Sequence, residues 1–160
     1  MPRRVFFSFH HQRDVWRASQ VRNSWVTQDR IAAGFWDSAE WEEVKRKDLY
    51  TIHRWIDRQM EGTSVTVVLI GAETSTRPHV IYEIEQSLLL KKGIVGVRIH
   101  DLRNRDGLAD GWGANPLSMV TLTPGGRSLD QIYSTYDYVG NDGYRNMGNW
   151  IETAALQVGR

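Results

Sequence analysis

Three short apolar runs punctuate the chain: "RVFFSF" at 4–9, "SVTVVLIG" at 64–71 and "GIVGVRIH" at 93–100. In each, apolar residues follow one another instead of alternating, and polar residues or glycine end the run. That is the pattern of strands covered on both faces. Between the runs the period lengthens to that of a helix. Residues 14–25 place Val15, Ala18, Val21 and Trp25 on one stripe, and residues 44–60 do the same with Leu49, Ile52, Trp55, Ile56 and Met60. A third helix is expected before residue 93, with Thr76 as its cap, Pro78 tolerated in its first turn, and Lys91, Lys92 and Gly93 as a stop. A closing helix over 144–158 lines up Met147, Trp150, Ile151, Ala154, Ala155 and Val158. Strand and helix therefore alternate, which predicts an α/β fold with a mainly parallel central sheet flanked by helices.

The rest of the chain is less regular. Residues 31–41 leave room for a short second strand or a loop. The stretch 101–143 is rich in Gly, Asn and Asp, with weak strand candidates at 119–123 and 131–139. No repeat, low-complexity tract or linker divides the 160 residues, so a single domain over 1–160 is expected. In open α/β sheets a ligand binds outside the carboxyl ends of the strands. That edge gathers Ser8, Phe9, His10 and His11 after the first run, residues 71–76 after the second, and His100 and Asp101 after the third.

Composition narrows the chemistry. Twenty basic and 19 acidic residues are mixed along the chain, which gives no basic face for nucleic acid. With no cysteines, disulfides, thiolate metal sites and cysteine nucleophiles are excluded together, and a reducing compartment fits. No segment approaches the ~20 apolar residues of a membrane span, and the N-terminal apolar run stops too early for a signal peptide. The expected location is the cytoplasm. Seven Trp, six Tyr and four Phe exceed what so small a core readily hides, so some should line a cleft. The sequence contains no GxGxxG, GxxxxGK[ST], HExxH or GxSxG pattern, which removes local support for dinucleotide-fold, nucleotide-triphosphatase, zinc-protease and serine-hydrolase readings. His10 and His11, adjacent at a strand end, point in opposite directions, and no metal site is expected from them.

Within "TSTRPHVIYEIEQSLLLKKG" (74–93), two carboxylates stand near a helix start. Glu83 and Glu85 project about 200° apart and cannot share one environment. With Val80, Ile81, Ile84 and Leu88 as the core stripe, both fall near its borders, so the pattern alone does not choose between them. Glu83 has Gln86 and Ser87 at i+3 and i+4, a mixed polar setting suited to a cleft edge, whereas Glu85 sits among Ile81, Tyr82, Leu88 and Leu89. The plain alternative is that each is a partly exposed residue of an amphipathic helix.

The segments "RRVFFSFHHQRDVWRASQVRNSWV", "GFWDSAEWEEVKRK", "TSVTVVLIGAETSTRPHVIYEIEQSLLLKKGIVGVRIHDL" and "YDYVGNDGYRNMGNWIETAA" resemble, in that order, the TIR-like family of the Thoeris anti-phage signalling subunit. The resemblance covers most of the chain and is weakest over 103–130. It implies a flavodoxin-like, TIR-type three-layer fold that cleaves the nicotinamide–ribose bond of NAD+ with a glutamate on the helix after the central strand. The matching residue is Glu83. The chain departs from the family pattern by placing His79 where an aromatic residue is common. Phe7, Ser8 and Phe9 match the first-strand motif bordering the nucleotide cleft, and "FWDSAEW" matches the segment that carries Asp37 and Trp41. A ring of Phe9 or Trp36 could stack on nicotinamide or adenine, and His10 could hydrogen-bond a phosphate or ribose. The resemblance implies NAD+ as substrate with no separate cofactor, a cyclic ADP-ribose isomer as second messenger for a partner effector, and a phage-derived trigger with possible self-assembly. The alternative is a non-catalytic TIR-like module acting by association, since fold does not fix function.

Overall fold

The computed structural model describes residues 3–26, 31–33 and 42–160, with the side chains of 26 and 31–33 excepted. Five strands form one sheet: β1 (Arg4–Ser8), β2 (Ile31–Ala33), β3 (Val65–Ile70), β4 (Gly93–Arg98) and β5 (Thr135–Asp137). Their order is β2-β1-β3-β4-β5, and every neighbouring pair runs parallel. The expected mainly parallel sheet is thus parallel throughout, and the short run after residue 30 is a strand. Each residue of β3 and β4 is buried, as continuous Val and Ile runs require when both faces are covered.

Among the described residues the sheet is covered by α1 (His11–Val26), α2 (Leu49–Met60), α3 (Pro78–Leu89) and α4 (Gly143–Gln157). On one face, Ala18, Val21 and Trp25 of α1 and Met147, Trp150, Ile151, Ala154 and Ala155 of α4 pack on the odd-numbered residues of β1, β3 and β4. On the other, Ile56 and Met60 of α2 meet Phe6, while Val80 and Ile84 of α3 meet Val68, Ile70 and Ile94. Helix, sheet and helix make three layers. The Gly-rich stretch after β4 joins the second face through two 3-10 turns, Pro116–Met119 and Leu129–Gln131, which bring Leu117, Val120, Leu129 and Tyr133 against α3.

Several local expectations need correction. Val15 (45% exposed) and Leu49 (65%) lie on solvent faces, because each stripe is narrower than its apolar pattern. Asp48 caps α2 by accepting from the Thr51 amide, so that helix starts at 49 and not at 44. Thr76 does not cap α3. It belongs to a 3-10 turn, Thr74–Thr76, and donates to the Glu73 carbonyl, while Arg77 takes the cap position without a side-chain bond. Residues 119–123 contribute only an antiparallel bridge between Thr121 and Ser128, and of 131–139 only Thr135–Asp137 pairs with the sheet.

Candidate active site

The pleat of β1 sorts its side chains. Val5, Phe7 and Phe9 face the α1/α4 layer, and Phe6 and Ser8 face α2 and α3. Ser8, the last residue of the strand, therefore meets α3 across the point between β1 and β3 where strand order reverses. On α3, Val80, Glu83, Ile84 and Ser87 form the buried stripe. Glu83 is fully buried and Glu85 exposed, so the two carboxylates that the sequence pattern left level are separated completely by packing.

Glu83 Oε1 accepts from Ser8 Oγ at 2.7 Å. Its main chain is held as well: Ser87 Oγ donates to the Glu83 carbonyl at 2.7 Å, and Ser87 has spent its proton, so Thr66 Oγ1 must donate to Ser87 at 2.6 Å. Oε2 has no hydrogen-bond partner among the described residues. A carboxylate so placed loses its hydration for one hydrogen bond, and desolvation pushes its pKa up to about 8 against the opposing pull of Ser8. At neutral pH Glu83 is mostly protonated.

Histidines surround the end of β1. His79, one turn before Glu83, donates from Nε2 to the Phe9 carbonyl at 3.1 Å, which fixes its tautomer. Its ring centroid lies 5.3 Å from that of His11, which in turn lies 4.2 Å from that of Phe9. Burial drives the His79 pKa down to about 4 and that of His11 to about 2. His10 accepts the Arg13 amide at Nδ1, 3.2 Å away, and its pKa is lowered by desolvation first and then by Arg77. Imidazoles held neutral here add no positive charge beside Glu83.

Behind this edge lies an ion network that sequence reading did not single out. Arg17, 2% exposed, donates to the carbonyls of Leu102 (2.8 Å) and Leu108 (2.9 Å) and to Asp14 (3.3 Å). Arg13 bridges Asp110 at 2.8 Å and also contacts Glu73, tying α1 to the loops after β3 and β4. Burial raises the Asp14 pKa to about 6, whereas the Arg13 hydrogen bond lowers that of Asp110 to about 2. A Cβ on Gly71 would stand 2.1 Å from Asp14 Oδ2, so only glycine lets the chain leave β3 over that carboxylate. The signal that could have drawn attention to Arg17 was its place beside Ala18 and Val21 on the apolar stripe.

Of the residues expected at the site, Ser8, His10 and Glu83 gather at the carboxyl edge of β1. Phe9 contributes its carbonyl, while its ring packs in the α1/α4 layer. Trp36, Asp37 and Trp41 lie outside the described residues. Glu85 instead borders a separate groove of about 420 Å³ between α2 and α3, lined also by His53, Arg77 and Tyr82.

Residues 6–104, from β1 past β4, match the family described as Thoeris protein ThsB, TIR-like domain. The chain belongs to that family. Over 94% of its length it is also similar, at 31% identity, to the full length of a Bacillus cereus (strain MSX-D12) protein named "Putative cyclic ADP-D-ribose synthase ThsB1". The parallel sheet of the described residues, flanked by helices, is an α/β fold consistent with the TIR type of that family. No helix among the described residues is long and apolar enough to cross a membrane.

Proposed function

We propose that this protein cleaves the nicotinamide–ribose bond of NAD+ and closes the remaining ADP-ribose into a cyclic isomer, which activates a partner effector in anti-phage defence. The observation that carries this reading is the buried Glu83 carboxyl held by Ser8 at the switch point of a ThsB-family sheet. The name of the Bacillus cereus relative supports the same chemistry. The reaction class is that of NAD+ glycohydrolases and ADP-ribosyl cyclases, with NAD+ as substrate and no cofactor.

The nicotinamide nitrogen is cationic in NAD+. When the C–N bond breaks, its electron pair leaves with nicotinamide, which departs neutral, and no general acid is needed. The ribose becomes oxocarbenium-like, and ionised Glu83 stabilises that cation. A hydroxyl or ring nitrogen of the same nucleotide then bonds to the anomeric carbon and one proton is released. Cyclisation requires that water stay out while the nucleotide folds back, which suits a sealed edge. Ser8, His10 and the Phe9 backbone line this edge, and Trp36, Asp37 and Trp41 are proposed to complete the nucleotide site. A single domain acting in the cytoplasm, a phage-derived trigger and self-assembly belong to the same reading.

The absence of accessible surface on Glu83 favours a second reading, a module that acts by association alone. Nucleotide analysis of cells carrying wild type, Glu83→Gln or Glu85→Gln, with and without phage, separates the two. A phage-dependent species with the mass of cyclic ADP-ribose, lost only in Glu83→Gln, is expected. Unchanged nicotinamide release in Glu83→Gln would overturn the catalytic assignment, and no product from folded wild type would favour the association module.

A further inference from the structure

At the carboxyl ends of β4 and β5, well along the sheet from Glu83, His100, Asp101 and Asp137 each point one ligand atom at the others. These atoms all lie within 4.8 Å of one another. His100 and Asp101 follow β4, and the parallel register that sets Arg98 beside Asp137 brings the third residue across from β5. The His100 side chain is 9% exposed, yet neither ring nitrogen makes a hydrogen bond. Among the described residues Nδ1 is buried without a partner, and Nε2 stands 3.5 Å from Asp101 Oδ2. Buried imidazoles ordinarily satisfy at least one nitrogen. Asp137 is fixed in place: its Oδ1 accepts the amides of Val139 and Gly140, both at 3.0 Å, and its own amide donates to Asn141, while Oδ2 makes no bond among the described residues. The ring of His100 is further set by edge-on contact with Trp112, whose face is covered by the Arg98 guanidinium at 3.5 Å. The Arg98 guanidinium is also committed elsewhere, its Nη1 donating to the Gly113 carbonyl at 2.7 Å.

We infer that His100, Asp101 and Asp137 form a binding site for a divalent first-row transition metal. One borderline nitrogen and two hard carboxylate oxygens suit Mn²⁺, Co²⁺ or Zn²⁺. Neighbouring ligands on such an ion stand roughly 3.0–3.4 Å apart, given bonds of about 2.0–2.2 Å, so the exposed Asp101 need only rotate inward to close the set. Three protein ligands leave coordination positions open at the sheet edge. This inference is independent of the NAD+ reading.

The test uses tag-free full-length protein, stripped with chelator and titrated calorimetrically with Mn²⁺ and Zn²⁺ at fixed pH, alongside the visible absorption of added Co²⁺. Wild type is expected to bind one equivalent, and Asp137→Asn, which keeps the acceptor for Val139 and Gly140, to weaken binding roughly tenfold or more. His100→Gln should lose the Co²⁺ absorption characteristic of imidazole ligation, with circular dichroism reporting that the variant is folded. Mn²⁺ should broaden the His100 ring resonances before those of His10, His11, His53 and His79. Absence of saturable binding, equal affinity in wild type and Asp137→Asn, or broadening centred on another histidine would each overturn the site.

Discussion

Replacing Glu83 by Gln keeps the shape of the side chain and removes only its ability to ionise, which makes the cost of burying this carboxyl measurable. The folded pKa of about 8 stands above the ordinary 4.5, so between those values the fold binds a proton that the unfolded chain releases. The sign follows: the unfolded state holds fewer protons, and wild-type stability from this group is fully present below pH 4.5 and falls as pH rises toward 8. Each pH interval is worth about 1.4 kcal/mol, so at pH 7 the loss amounts to roughly 3 kcal/mol. Gln is neutral throughout and accepts from Ser8 as protonated Glu does. The variant should therefore match wild type near pH 4.5 and exceed it at pH 7 by an amount on the order of 3 kcal/mol, or roughly 6–12 °C in Tm for a chain of this size. Urea titrations of both proteins at pH 4.5, 6, 7 and 8 provide the assay. His11 and His79, buried neutral, lose stability as pH falls below 6.5, but both proteins share that slope and it cancels in the difference. A stability difference that stays flat with pH, or that favours wild type at pH 8, would refute a sealed, proton-holding Glu83.

Ser8→Ala removes the hydrogen bond that favours the charged carboxylate; NAD+ turnover at pH 7 should fall roughly tenfold or more, with the acid limb of the pH–rate profile displaced to higher pH. A profile lowered without displacement would count against Ser8 acting through Glu83. Gly113→Ala would put a Cβ 2.2 Å from the Gly71 carbonyl oxygen and 2.6 Å from that of Ala72, both backbone, and should cost about 1–3 kcal/mol in urea unfolding, whereas Gly111→Ala, with open space around it, should be near neutral. Lys92→Met strips the Nζ that donates to the carbonyls of Met60 (3.0 Å) and Thr63 (2.5 Å), leaving buried acceptors behind α2; a loss of about 1–3 kcal/mol is expected from the shift in urea midpoint.

The Val- and Ile-rich runs identified β1, β3 and β4 within a residue or two, because a strand buried on both faces must be apolar at nearly every position. The closing helix was legible for a related reason, its stripe running unbroken from Met147 to Ala155, although Val158, expected on it, lies past the helix end and packs against the cluster on the other face. Glu83 was harder. Its burial is decided by Ser8, 75 positions earlier, and by the sheet between them, so no local period separates it from Glu85. Arg17 and Lys92 were hidden in the same way, since each long cation is drawn inward by main-chain carbonyls that only the tertiary fold brings within reach. The ends of α2 and α3 slipped because caps compete: Asp48 won the first, and a 3-10 turn displaced Thr76 from the second. His100, Asp101 and Asp137 meet only because β4 and β5 are neighbours, although β5 was a weak candidate in an irregular stretch.

The electrostatics of the site bear on when it works. The proposed oxocarbenium ion needs a charged carboxylate beside it, yet Glu83 at rest holds its proton because burial strips its hydration. Two events would release that proton: entry of a cation, or an opening that lets water reach Oε2. NAD+ brings the cation itself, on the nicotinamide ring, and an opposite charge within about 4–6 Å lowers a carboxyl pKa by 1–3. From a starting value of about 8, that suffices to ionise Glu83 near neutral pH. In the proposed reaction His11 and His79, held neutral by burial, would add no positive charge to compete with the substrate for that carboxylate. Under the proposed reaction, a glutamate charged only beside a cationic substrate would be silent toward neutral nucleotides, and the same burial would keep water from capturing the ribose before the nucleotide closes on itself.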